Sequence, residues 1–144
     1  MKVAYPVILT EIDTNILIEV PDLGILTEAN EEGKEKGTTA DAIMMARDAI
    51  GLTCIAAEDE ERAVAEPSKV SDVDISKGTF FEEGTGIVTL VDVDLTEYRR
   101  KLDHKTVRRN VTLPNWLNQE AEKSHINVSR VLQEALMEKL GIAH

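Results

Sequence analysis

The residues best suited to do chemistry are Thr106, Arg108, Asn110 and Thr112, which alternate along the segment TVRRNVTL and so project from one side of an extended chain. An Arg guanidinium matches the acceptor edge of guanine and an Asn amide matches adenine, while Thr hydrogen-bonds either base or touches a thymine methyl. This chemistry is recognition of base edges, with no bond made or broken. Val107, Val111 and Leu113 take the intervening positions and form the face to be buried. Arg109 also falls in that inward phase, where it has to snorkel outward or meet a phosphate.

Other reactive side chains are less well placed. Glu11, Asp13, Asp92 and Asp94 lie on or beside strands, and converging carboxylates of this kind hold Mg²⁺ in metal-dependent nucleases. That nuclease is the alternative reading, but alternation along separate strands does not bring carboxylates together, and an acidic turn with a polar sheet face explains them as well. His104, His125 and His144 are scattered, with no cysteine near enough to complete a zinc site, and are expected to be exposed. Cys54 falls on the apolar side of a helical pattern and reads as a small buried residue, not a nucleophile. Neither a cofactor nor a metal is expected, and no catalytic residue is assigned.

The elements around the base-reading set fix its geometry. Pro114 suits the start of a helix, and Leu117 with Ala121 makes an i, i+4 apolar pair in a helix that ends near Ser124 or His125. Asn127 or Ser129 can cap a second helix, whose Val128, Val131, Leu132, Ala135, Leu136 and Leu140 form a broad apolar stripe stopped by Gly141. One strand and two helices of about ten residues cannot close a core, so the unit has to pair with a copy of itself. Two such strands, antiparallel about a twofold axis, make a ribbon that fits the major groove of DNA. The start of the second helix, at Asn127, Ser129 and Arg130, then offers N–H groups to a phosphate. Trp116 is expected in dimer or core packing before any contact with DNA.

Upstream, Val3, Tyr5, Val7 and Leu9 alternate as one strand and Asn15 to Val20 reads as a second, with a hairpin between them. A turn at Pro21 to Gly24 leads to a third strand over Ile25 to Ala29. Thr38 and Asp41 have capping-box spacing ahead of Ile43, Ala46, Ile50 and Cys54, which recur as in a helix over about residues 39–57. A long irregular stretch follows, in which Phe80 and Phe81 are expected to anchor the loop to the core, and Ile87 to Val93 reads as a fourth strand. The β-β-β-α-β order is α+β. Residues 98–106, YRRKLDHKT, are charged and unpatterned and read as the linker, so that domains span 1–100 and 106–144 with the joint at 101–105.

The formal charge of −11 argues against a chain that binds nucleic acid over its whole surface. The charge is divided: residues 1–104 hold 10 Lys and Arg against 23 Asp and Glu, and residues 105–144 hold 6 against 4. An acidic body suits a basic partner and a mildly basic tail suits DNA. No run approaches the roughly 18 apolar residues that cross a bilayer, and charges come too early for a secretory signal, so a cytoplasmic protein with no membrane partner is expected.

Residues 106–141 resemble a ribbon-helix-helix domain, through RRNVTLPNWL and the NVSRVLQEAL that follows it. Together with VPDLGILTEANEEGKEKGTTADAIMMARDAI, a strand, polar loop and Thr-capped helix, the whole chain resembles a HicB-type antitoxin. Arg109 departs from that pattern, standing where the family usually has an apolar residue. The resemblance implies a degenerate ribonuclease H-like N-terminal fold, a small basic HicA-like mRNA-cleaving toxin as partner, and repression of the chain's own operon through operator DNA. The acidic loop NEEGKEKG, with Glu31, Glu32 and Glu35, is the expected docking edge for that toxin, because it is charged and adjoins the helix start.

Overall fold

In the computed structural model, residues 1–30, 35–103 and 107–142 are described, and they fall into two compact units, Met1–His104 and Lys105–His144. The first unit runs β1 (Lys2–Glu11), β2 (Ile16–Val20), β3 (Ile25–Glu28), α1 (Thr39–Asp59), β4 (Thr85–Asp94) and α2 (Leu95–Leu102). The four strands form one antiparallel sheet in the order β3-β2-β1-β4.

One face of this sheet and one side of α1 make the core. Tyr5, Val7 and Leu9 of β1 lie there with Ile16, Ile18 and Val20 of β2 and Val91 and Val93 of β4, all buried. Their partners on α1 are Ala42, Ala46, Ile50 and Cys54, spaced four residues apart so that one narrow, small-sided stripe lies close against the strands. The helix starts where the sequence places it. Thr38 Oγ1 accepts from the Asp41 amide at 3.1 Å while the Asp41 carboxylate accepts from the Thr38 amide at 2.8 Å, a complete capping box.

The opposite face of β1 is covered too, by the chain between α1 and β4, since Pro6, Ile8 and Thr10 are buried as well. Here the structure departs from expectation, because Phe80 is only half-buried and Phe81 is exposed, and neither belongs to the core. Carboxylates hold this segment instead. Asp22 accepts from the Ser68 amide and hydroxyl at 2.8 and 2.7 Å, and Glu19 does the same for Thr79 at 2.9 and 2.8 Å. Each pair is a charge-assisted double hydrogen bond, which fixes a loop that has little apolar surface to bury.

A second correction concerns residues 98–102, expected within the linker stretch, which are the end of α2. Asp94 caps that helix by accepting from the Thr96 and Glu97 amides, and the Tyr98 ring lies across Gly51 of α1. Any Cβ on Gly51 would stand 2.8 to 2.9 Å from three atoms of this ring, so glycine is what lets the two helices meet.

The second unit consists of α3 (Asn115–Lys123) and α4 (Val128–Leu140). Asn127 caps α4 by accepting from the Arg130 amide at 3.2 Å, and Gly141, with φ of 70°, ends it in the left-handed conformation. Residues 107–114 form no strand, contrary to the sequence reading. A strand is defined by its ladder, and among the described residues this segment has no neighbour to pair with.

Candidate binding surfaces

Three surfaces have the exposure needed for recognition. The first is the loop leading into α1, where Asn15, itself buried, sets the geometry. Its Nδ2 donates to the Asn30 carbonyl at 2.8 Å and to Glu28 at 3.2 Å, and its Oδ1 accepts from the Asn30 amide at 3.3 Å. Asn30 in turn donates through Nδ2 to the Glu35 carbonyl at 2.7 Å, which leaves the exposed Glu35 side chain facing solvent. Glu31 and Glu32 lie outside the described residues. Lys36 pairs with Glu11 at 2.8 Å and holds that carboxyl below the usual range, so the loop is tied back to the end of β1.

The second surface is the second unit as a whole. No residue from 107 to 142 is buried, although the unit is rich in large apolar side chains: Val107, Trp116, Val131, Leu136 and Leu140 are all more than half exposed. A shallow groove joins Val107, Arg108 and Arg109 to Ser129, Leu132 and Leu136 of α4. The structure thus brings Arg108 beside Ser129, two of the residues expected to meet DNA. Arg108 and Arg109 border the same groove, so the outward and inward phases expected of them are not separated when no strand forms. Asn110 and Thr112 are exposed, and Thr106 lies outside the described residues. At the start of α4 the Arg130 amide is occupied by Asn127 and its guanidinium pairs with Glu134 at 3.2 Å, so the amides left for an anion there are those of Val128 and Ser129. His125 is exposed with φ of 54°, in the turn between the helices, whereas His104 and His144 lie outside the described residues.

The third surface is the outer edge of β4, which sequence periodicity alone could not identify because it does not say which strand ends the sheet.

The carboxylates of the nuclease alternative do not converge. Glu11 pairs with Thr85 at one end of the β1–β4 ladder, while Asp92 and Asp94 lie seven and nine residues further along it, about 24 and 30 Å away at strand spacing. Their roles are structural: Glu11 meets Lys36, Asp92 meets Arg47 at 3.1 Å, and Asp94 caps α2. Among the described residues no group of three potential ligands could hold a metal ion. Cys54 is buried, and that burial pushes its thiol up, opposite to what a nucleophile needs. Its neighbour Tyr5 is pushed up to about 12, first by burial and then by Cys54, and donates to the Ala65 carbonyl at 2.8 Å.

The chain thus joins a sheet backed by α1 to a second unit whose large apolar side chains stand exposed. The chain belongs to the HicB-like antitoxins of bacterial toxin–antitoxin systems, whose family model matches residues 5–136. It is therefore an antitoxin and not an enzyme. A chain of a toxin–antitoxin complex from Streptococcus pneumoniae shares the fold, with a TM-score of 0.56 and 21% identity over 96% of this chain and 99% of that one. The HicB antitoxin of Burkholderia pseudomallei is 25% identical over 95% of this chain and 98% of its own, with a TM-score of 0.49. No curated protein matches. Among the described residues, no helix is long and apolar enough to cross a membrane.

Proposed function

We propose that the chain is the antitoxin of a type II pair: its first unit binds and inhibits a small basic HicA-like toxin, and its second unit dimerises on operator DNA to repress the shared operon. One observation carries the second half of this reading. A unit without a single buried residue between 107 and 142, yet lined with large apolar side chains, has to be covered to be stable. A second copy covers it symmetrically, supplies residues 107–113 with a strand partner, and sets Thr106, Arg108, Asn110 and Thr112 on the outside of the resulting ribbon. Ser129 and Arg130 beside Asn127 then face the phosphate backbone.

For the first half, the support is charge. A protein that cleaves RNA has to hold a polyanion, and where it does so through a basic surface a unit with 23 acidic against 10 basic residues approaches it quickly. Glu31, Glu32 and Glu35 are proposed to guide that approach. Two measurements test the reading. Deleting residues 105–144 should abolish dimerisation and operator binding while residues 1–104 still suppress RNA cleavage by the small protein encoded beside the antitoxin. Retained dimer and operator binding would sink the assignment of the second unit, and failure to suppress cleavage would sink that of the first.

A further inference from the structure

Among the described residues, the strand β4 forms one edge of the sheet and pairs on one side only, with β1. Two hydrogen bonds establish which of its backbone groups face outward. The Leu95 amide donates to the Met1 carbonyl at 2.9 Å, and the same register runs the length of β4, so its odd-numbered residues exchange bonds with β1. Even-numbered residues point away from the sheet, as the Asp92 carbonyl shows by accepting from Arg47 Nε at 2.8 Å. Gly86, Val88 and Leu90 have no such cover. Among the described residues, nothing donates to or accepts from their outward groups.

Edge strands are ordinarily guarded by shortness, charge, proline or a bulge. At the far edge, β3 has four residues and ends in Glu28. Ten residues make up β4, and from Thr85 to Val91 it contains no charge and no proline. Leu90 and Ile87, on opposite faces, are 55% and 54% exposed. Arg47 guards the Asp92 end alone. In so acidic a unit an uncharged edge stands out, and carboxylates bracket it, with Glu82 and Glu83 before it and Asp92 and Asp94 after it.

That bracketing decides what fits. Self-pairing with Val88 opposite Val88 would push Glu82 and Glu83 of one copy against Asp92 and Asp94 of the other at both ends, and like charges opposed across strands are destabilising. A strand that is apolar in the middle and carries Lys or Arg at its ends meets no such conflict.

We propose that the outer edge of β4, from Gly86 to Leu90, receives an extended strand of the basic toxin and so continues the sheet. Main-chain bonds at Gly86, Val88 and Leu90 supply affinity, Ile87 and Leu90 contact alternate side chains, and the flanking carboxylates set the register. This rests on the antitoxin reading above and names the surface through which the toxin is held.

Residue-resolved amide hydrogen exchange on the full chain, free and saturated with the purified toxin encoded beside it, tests the proposal without altering a residue. In the free chain Gly86, Val88 and Leu90 should exchange fast and Ile87, Thr89 and Val91 slowly; in the complex the three even-numbered amides should slow at least tenfold. Unchanged exchange of those three in the complex overturns the proposal. Protection already present in the free chain also overturns it, because it marks an edge covered by a second copy. If the toxin does not bind the intact chain at all, the antitoxin reading has failed as well. A substitution gives an independent reading: Val88→Pro removes one outward N–H at a position where an edge tolerates proline, and should weaken toxin binding at least tenfold with operator binding intact. Val88→Thr, which keeps the N–H, should bind as the parent does. If Val88→Pro unfolds the sheet, Leu90→Lys, on an exposed side chain, should give the same loss, and full toxin affinity in that variant overturns the proposal.

Discussion

Leu136 offers a quantitative test of the dimer. Its side chain is 52% exposed in the single chain and lines the groove that also holds Val107 and Leu132. Full burial of a leucine contributes about 1.5–3 kcal/mol, so covering the exposed half contributes about 0.8–1.5 kcal/mol. In a twofold interface both copies lose the same group, and Leu136→Ala should cost about 1.5–3 kcal/mol per dimer. The dissociation constant should rise about 12- to 150-fold. Because the side chain is not buried within its own chain, truncation should leave the helix content of the monomer nearly unchanged. Sedimentation equilibrium over a range of concentrations measures the constant, and circular dichroism on the same samples checks the helices. Glu138→Ala is the control, since two residues further on it points to the opposite side of α4 and should shift the constant by less than threefold. An unchanged constant for Leu136→Ala, or an equal rise for both variants, would show that this face of α4 is not in the interface.

Mobility shifts on operators altered one base pair at a time should show Arg108→Ala and Asn110→Ala each losing about 1–3 kcal/mol of discrimination at one position, and Lys123→Ala weakening all sequences by less. Neutralising Glu31, Glu32 and Glu35 together should slow toxin association at low salt more than it speeds dissociation, as read by stopped flow at two salt concentrations. Gly51→Ala should gain about 1 kcal/mol from helix propensity yet lose more by displacing the Tyr98 ring, so that urea unfolding finds it destabilising alone and stabilising in a Tyr98→Ala background. The phenol of Tyr5, raised from 10.0 to about 12, keeps its proton longer in the folded state than in the unfolded chain. Its contribution is therefore complete below pH 10 and is lost as the pH rises from 10 to about 12. Urea midpoints in this window should flatten in Tyr5→Phe.

The α+β order of the first unit is readable because its signals are local. Thr38 and Asp41 sit at capping-box spacing, and odd-numbered apolar residues mark β1. Helix α2 is harder to see, although Asp94 stands three residues before Glu97 and Leu95, Tyr98 and Leu102 recur at helical spacing, since Arg99, Arg100 and Lys101 dominate its composition. The anchoring of the long loop is hidden for another reason. Aromatic residues ordinarily pin such loops through the apolar area they bury, yet Glu19 and Asp22 hold this one from 60 and 46 residues away in sequence, and no periodicity reports a pairing of that kind. Around residues 107–114 the alternation is plain, but no strand forms in the single chain, and in the reading proposed above the missing partner is a second copy. The free edge of β4 is invisible for the converse reason, because an edge is defined by the strand that is absent beside it.

The lack of any buried residue between 107 and 142 ties persistence to abundance. With the dimer proposed above, a chain that meets no copy of itself keeps this unit loosely held and open to proteases, while a paired chain is shielded. Because pairing depends on the square of the chain concentration, a pause in synthesis shortens the lifetime of each remaining molecule as their number falls. Loss of the protein then accelerates with time, and the repression proposed above would be relieved abruptly where a unit with its own core would give a gradual decline.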